Sequence, residues 1–284
     1  MTHIRKLRTV IFAAVALAII GADLMAAQAS DKDGGGDRAA ERARELQNPL
    51  AGISAIMTEN RFMFKNGKDK TNYHFDIEPI FAIGFPEQGF TMIPRAVIPV
   101  IGAAPWSNPS AMGDDGDTAW GISDIVGQVF FAPKVTSAWK WGLGGQVSLD
   151  SSTDDAVAGP GWGAGPSAIL VGDFTDQISF AGILGHLWSF DGGFNSTTFQ
   201  PMIFYNLTSI SGAYFAYEGT ITADWKAEDS DDTFTVPLGF VAGKAFDIGG
   251  GYGLDINLGP YWNLIKPEGT ADWFLKFGFT ILLP

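Results

Sequence analysis

The chain has 284 residues, of which 46% are hydrophobic, 13% aromatic and only 17% charged, with 36 glycines and no cysteine. That is too much apolar material for disorder and too much glycine for a helical protein, and the lack of thiols excludes disulfide staples and thiolate metal sites. A formal net charge of −13 at pH 7, with no basic patch, argues against nucleic acid as a partner.

At the start, Arg5, Lys6 and Arg8 precede an apolar run from Thr9 to Gly21, and the small residues Ala26, Ala27 and Ala29 follow. This is the pattern of a secretory signal peptide, residues 1–29, cleaved after Ala29 on Sec-type export. The run is short and wrongly flanked for a permanent span. No later segment offers the roughly 20 unbroken apolar residues that a membrane helix needs. Membrane residence must therefore be as a closed barrel, the other structure that satisfies its own backbone in lipid.

Residues 30–50 form a leader of a different kind. Gly34, Gly35 and Gly36 open it, and the Ala-rich, charged stretch from Arg38 to Leu46 suits about two or three helical turns. It is either a solvated periplasmic linker or a plug that enters the barrel.

From 51 to 284 the sequence reads as an all-β domain, a single antiparallel transmembrane barrel. Twelve segments show alternation or aromatic enrichment between Gly, Pro, Asn, Asp and Ser clusters. They span 52–65, 72–85, 90–101, 119–132, 138–150, 162–172, 177–190, 197–208, 212–226, 233–246, 251–263 and 270–283. An even count is what antiparallel closure requires. The connections segregate into a short, periplasmic set (86–89, 133–137, 173–176, 209–211, 247–250) and a longer, external set. The external set carries the acidic clusters Asp114, Asp115, Asp117; Asp154, Asp155; and Glu228, Asp229, Asp231, Asp232.

Side chains alternate across a strand, so each strand should show one lipid row and one lumenal row. In the second, Tyr73, Phe75, Ile77, Phe81, Ile83 and Phe85 face lipid. In the fifth, Trp139, Trp141, Leu143, Val147 and Leu149 do so, opposite Lys140, Gln146 and Ser148. The last strand puts Trp273, Leu275, Phe277, Phe279, Ile281 and Leu283 on one face. Tryptophan and tyrosine near strand ends supply interfacial girdles. The same parity turns Glu59, Arg61, His74, Asp76, Glu78, Arg95, Lys140, Glu218, Asp224, Asp255 and Lys276 toward the lumen. Neighbouring strands lie about 4.8 Å apart, so these groups can form a cross-strand ladder of ion pairs. Such a ladder either sets the field of a pore or neutralises itself and fills a narrow barrel.

Other signals are weaker. His186 with Ser189 or Ser196 could serve a lipid hydrolase, but no nucleophile elbow or triad context accompanies them. The glycines between Gly159 and Gly165 lack the following helix that would hold a phosphate. Asp114, Asp115 and Asp117 lack a full set of calcium ligands. No catalytic, metal or cofactor residue is expected.

Several short motifs carry a family resemblance: Gln47-Asn48-Pro49-Leu50, Asn60-x-Phe62, Gln128-Val129-Phe130-Phe131-Ala132-Pro133, the stretch from Phe199 to Leu207, and Thr235-Val236-Pro237-Leu238-Gly239-Phe240 with Gly243-Lys244. In this order the chain resembles bacterial outer-membrane proteins grouped under the meta pathway of phenol degradation, often labelled "transporter" or "neuromedin U". The resemblance runs from about Glu45 to Pro284. It implies a Gram-negative outer-membrane barrel that moves small compounds, hydrophobic or aromatic ones included, and no established catalytic residues. The expected function is passive passage of an unidentified solute, with outer-membrane lipid and lipopolysaccharide as surroundings. The alternatives are a closed structural or partner-binding barrel and, less well supported, a lipid-modifying enzyme built on His186.

Overall fold

The computed structural model describes residues 35–66, 70–102 and 120–284. The signal peptide and the cluster at Asp114 to Asp117 lie outside them. Among the described residues a helix, α1 (Gly35–Leu46), precedes the strands β1 (Ser54–Asn66), β2 (Lys70–Ile80), β3 (Ile83–Phe85), β4 (Phe90–Gly102), β5 (Trp120–Ile122), β6 (Val126–Pro133), β7 (Lys140–Ser148) and β8 (Gly163–Asp173). These are followed by β9 (Ile178–Ser189), β10 (Asn195–Asn206), β11 (Ala213–Tyr217), β12 (Ile221–Asp224), β13 (Phe234–Gly239), β14 (Val241–Gly249), β15 (Tyr252–Ile265) and β16 (Trp273–Leu283). No helix among the described residues is long and apolar enough to cross a membrane.

The strands form one closed antiparallel barrel of twelve wall strands. Four of these are each interrupted once, into β2 and β3, β5 and β6, β11 and β12, and β13 and β14. The ends of the sheet meet where β1 pairs with β16, from Ser54 opposite Leu283 to Phe64 opposite Trp273. Closure leaves no edge, so the wall satisfies its own backbone. The wall also carries local irregularities. At Pro237, which has no N–H to give the ladder, the register with β15 shifts. Between β11 and β12 the Glu218 N–H donates to the Tyr261 hydroxyl at 2.8 Å.

The period of two holds around the barrel. Ile56, Phe62, Ile83, Phe131, Trp141, Leu143, Leu184, Phe215, Leu238 and Trp262 are exposed on the outside. An apolar surface this continuous belongs against lipid. Aromatic groups collect at both rims: Trp120, Trp162, Trp188 and Trp225 stand exposed at one. At the other, Trp139 packs edge-on against Phe174, and Phe85 stacks on Phe90.

The inner row departs from a small or charged pattern. Ile93 and Phe130 are fully buried and cluster with Ala55, Ile169, Ala181, Ile183 and Leu282 inside the barrel. These face inward because they are in register with inward neighbours, Ile93 opposite Phe130 and Ala55 opposite Leu282. The lumen is thus partly an apolar core, concentrated toward the short-turn rim.

α1 docks at that rim. Ala43 on the helix and Gln47 and Leu50 in the turn after it are buried, whereas Glu41 and Arg44 are exposed. Leu46 and Leu50 pack into the inner apolar cluster. Arg42 reaches Asp247 at 3.6 Å, and the Arg44 guanidinium donates to the Asp176 carbonyl at 2.8 Å. The hydrogen bond to Glu45, with the charges of Glu45 and Asp247, raises the affinity of the Arg42 guanidinium for its proton against the opposing effect of burial. The Asn48 side chain then accepts the Leu50 N–H at 3.0 Å and turns the chain into β1.

Candidate functional site: a charged belt in the lumen

Adjacent wall strands bring the inward charges into contact by register alone. Arg61 on β1 lies opposite His74 on β2 and Lys276 on β16; Glu59 lies opposite Asp76 and Gly278. The result is an unbroken chain of contacts. Glu218 meets Lys276 at 3.2 Å, Lys276 meets Glu59 at 2.7 Å, Arg61 meets Glu59 at 3.4 Å and Asp76 at 2.6 Å, and His74 Nε2 lies 3.3 Å from Asp76. A second chain begins at Glu78. Arg95 donates to Glu78 and to Gln128, each at 2.6 Å, and Gln128 donates to Gln146 at 2.8 Å.

All of these groups are buried or half-buried. Charges removed from water must be paired, and the pairing does this with opposite signs on successive strands. Of the candidates read from sequence, Glu59, Arg61, His74, Asp76, Glu78, Arg95, Glu218 and Lys276 join the belt. Asp255 faces inward on the short-turn side of it and accepts a 2.8 Å hydrogen bond from Tyr214. Lys140 and Asp224 do not join. Lys140 starts β7 opposite Val171 near the short-turn rim, and exposed Asp224 ends β12, where its carboxylate accepts the Lys226 N–H at 2.9 Å.

Sequence reasoning overlooked Gln128, Gln200, Tyr214, Asn257 and Tyr261. They carry no charge, and the signal that marks them is parity alone: Gln128 is in register with Arg95, and Tyr261 with Phe274.

Cavities border the belt on both sides. On the long-loop side, one of about 290 Å³ is lined by Arg61, Arg95, Gln128, Gln146, Gln200 and Thr198, with Ile183, Leu187 and Phe194 along an apolar flank. Another of about 190 Å³ lies beside His74, Thr222, Thr235 and Asn263. On the short-turn side, about 60 Å³ remains between the belt, Leu46 and Gln47. The loop 149–162 leans over the cavity of about 290 Å³ and contributes Pro160. Asp124 holds this loop, accepting the N–H groups of Ser151, Ser152 and Gly161 at 2.9, 3.0 and 2.7 Å.

The hydrolase arrangement is taken apart by the sheet. His186 lies opposite Thr197 and Ser196 opposite Leu187, so alternation puts Ser196 and Ser189 on the face away from the histidine. On the outer face the His186 ring meets Thr197 Oγ1 at 2.7 Å, the Trp225 indole N–H donates to the same oxygen at 2.8 Å, and Trp188 packs against the imidazole. Gly163 enters β8 as strand.

The comparisons with known proteins bear on fold. No protein-family model and no curated protein sequence matches the chain. Among solved structures it is similar to the COG4313 outer membrane channel from Pseudomonas putida F1, with a TM-score of 0.56 and 14% identity over 82% of this chain and 96% of that one. The NanC porin gives 0.49 and 12%, over 81% and 99%. The outer membrane phospholipase A from Escherichia coli gives 0.42 and 11%, over 89% and 99%. At such identities the shared property is the barrel.

Proposed function

We propose that the protein is an outer-membrane channel through which small solutes pass passively. The observation that carries this is the lumen: a vestibule of about 290 Å³ on the long-loop side, ending at a belt of paired charges inside a barrel with a lipid-type exterior. Guanidinium and amide donors, carboxylates and one apolar flank suit a compact solute with polar groups and an apolar or aromatic body. The order of motifs that resembles the meta-pathway transporter family supports the same reading, as does a fold like that of the Pseudomonas putida F1 channel. Export across the inner membrane, the periplasm on the short-turn side and lipopolysaccharide around the long loops complete the picture. Catalysis has no support in the placement of His186, whose hydrogen-bond partner is Thr197, with Ser189 and Ser196 on the opposite face of the sheet.

The test is flux. Full-length protein in liposomes should admit small polar and aromatic solutes, and in planar bilayers it should conduct. The pairing of the belt and the seating of α1 favour the rival reading, a closed structural barrel. Absence of both conductance and flux would decide for that rival.

A further inference from the structure

Below the belt, Asp255 is a buried carboxylate with no cationic side chain in hydrogen-bond or ion-pair contact among the described residues. It is 3% exposed. Its Oδ2 accepts the Tyr214 hydroxyl at 2.8 Å, and Asn257 Nδ2 donates to the same hydroxyl at 3.5 Å. Asp255 Oδ1 and Asn257 Oδ1 are both buried and without a partner. Asn257 is itself 7% exposed. Two orphaned acceptors on one inward row of β15 is a costly arrangement, because a buried oxygen with no donor forfeits its hydration. Both residues line the cavity of about 60 Å³.

The charge around that cavity is mostly negative. Glu59, Glu78, Glu218 and Asp255 line it, against the single ammonium of Lys276. Glu59 and Glu218 already share Lys276, and Glu78 is taken by Arg95. Positive charge is therefore missing where Asp255 and Asn257 point.

We infer that Asp255 and Asn257 hold a monovalent cation, sodium or potassium, in this cavity. One unpaired carboxylate with neutral amide and hydroxyl oxygens suits a single charge; a divalent ion takes more carboxylates, and no cluster of three acid or histidine groups fit for a metal occurs among the described residues. The space is adequate: a water occupies about 10–15 Å³ by this measure, so an ion fits with part of its hydration shell. The site rests on geometry alone; its role as a resting place for permeating cations rests on the channel reading.

Infrared spectroscopy of the full chain in detergent tests the site. Potassium is exchanged for N-methylglucamine, an ion too large for the cavity. The expected result is a carboxylate stretching band that shifts on exchange and is missing from Asp255→Asn. A second variant, Asn257→Leu, keeps Asp255 and should weaken the response several-fold, which covers a failure of Asp255→Asn to fold. A carboxylic-acid stretch at neutral pH that Asp255→Asn removes, or a carboxylate band indifferent to the cation, would overturn the inference in favour of a proton or water. Bilayer recordings separate the two readings: an intact infrared response without conductance sinks the channel and keeps the site, whereas conductance without the response does the reverse.

Discussion

Gln47 and Asn206 exchange two hydrogen bonds, at 2.8 and 2.9 Å, and so tie the end of α1 to the inner end of β10. Each amide satisfies the other's donor and acceptor, and Gln47 is almost fully buried. Replacing Asn206 by Ala leaves the Gln47 amide unpaired, at a cost of about 1–3 kcal/mol. Amide hydrogen exchange across residues 39–47 should accelerate while the barrel strands stay protected. Unchanged protection in α1 would mean that the Arg42 and Leu50 contacts hold it without the latch.

Arg95 and Glu78 make the ion pair of the second chain, at 2.6 Å, with both side chains close to fully buried. Arg95→Leu strands the Glu78 carboxylate, and losing one partner of a buried pair typically costs about 3–5 kcal/mol. The double variant Glu78→Gln with Arg95→Gln should recover most of that. Urea unfolding in detergent, followed by tryptophan fluorescence, reads both. Equal stability of the single and double variants would show that water reaches the belt and shields it.

Asp124 carries three backbone N–H groups of the loop 149–162 on one carboxylate. Asp124→Ala orphans all three, each worth about 1–3 kcal/mol when buried. Freed from this hub, the loop no longer holds Pro160 over the vestibule. Larger solutes should then enter liposomes faster than they do through the parent. A flux profile that does not change with solute size would remove the loop from the entry path.

The features legible in the sequence were those that repeat every second residue. From Trp273 to Leu283 a large apolar side chain recurs at each outward position, so the lipid face declares itself without any tertiary knowledge. Phe130 and Tyr261 were not legible, since a large aromatic that faces inward resembles one that faces lipid until the register with Ile93 or Phe274 is known. The docking of α1 was open for another reason. Helical propensity lies in the local composition, but the partner that seats the helix, Asn206, is distant in sequence. Asp255 shared the parity of the belt residues, yet Ala245 and Thr280, both without charge, flank it on the neighbouring strands, so no ion pair forms there.

Leu143, on the outer face of β7, is 59% exposed and opposite Phe131 and Ala168. Arginine at the bilayer midplane of a barrel's lipid face costs about 2–4 kcal/mol. Leu143→Arg should therefore fold into liposomes less stably than the parent, whereas in detergent the loss should be smaller. Equal stability in both media would place Leu143 near an interface instead of the midplane.

The acidic loop 225–233 offers a charge test that spares the fold. Asp229 Oδ1 accepts the Asp231 N–H at 3.0 Å, and Asp232 Oδ1 accepts the Glu268 N–H at 2.8 Å, tying two loops together. Asparagine keeps a carbonyl oxygen at each of these positions and is as good a helix cap as aspartate, so Asp229→Asn, Asp231→Asn and Asp232→Asn together remove charge with little loss of structure. Surface potential concentrates counter-ions within a Debye length of about 10 Å at 0.1 M salt. The parent should accordingly favour cations over anions at low salt, with the preference fading as salt rises. In the triple variant the reversal potential under a salt gradient should move toward zero at low salt and match the parent at 1 M, where the Debye length is about 3 Å. A reversal potential unaffected by the three substitutions would shift ion discrimination from the loop to the belt and the cavity beneath it.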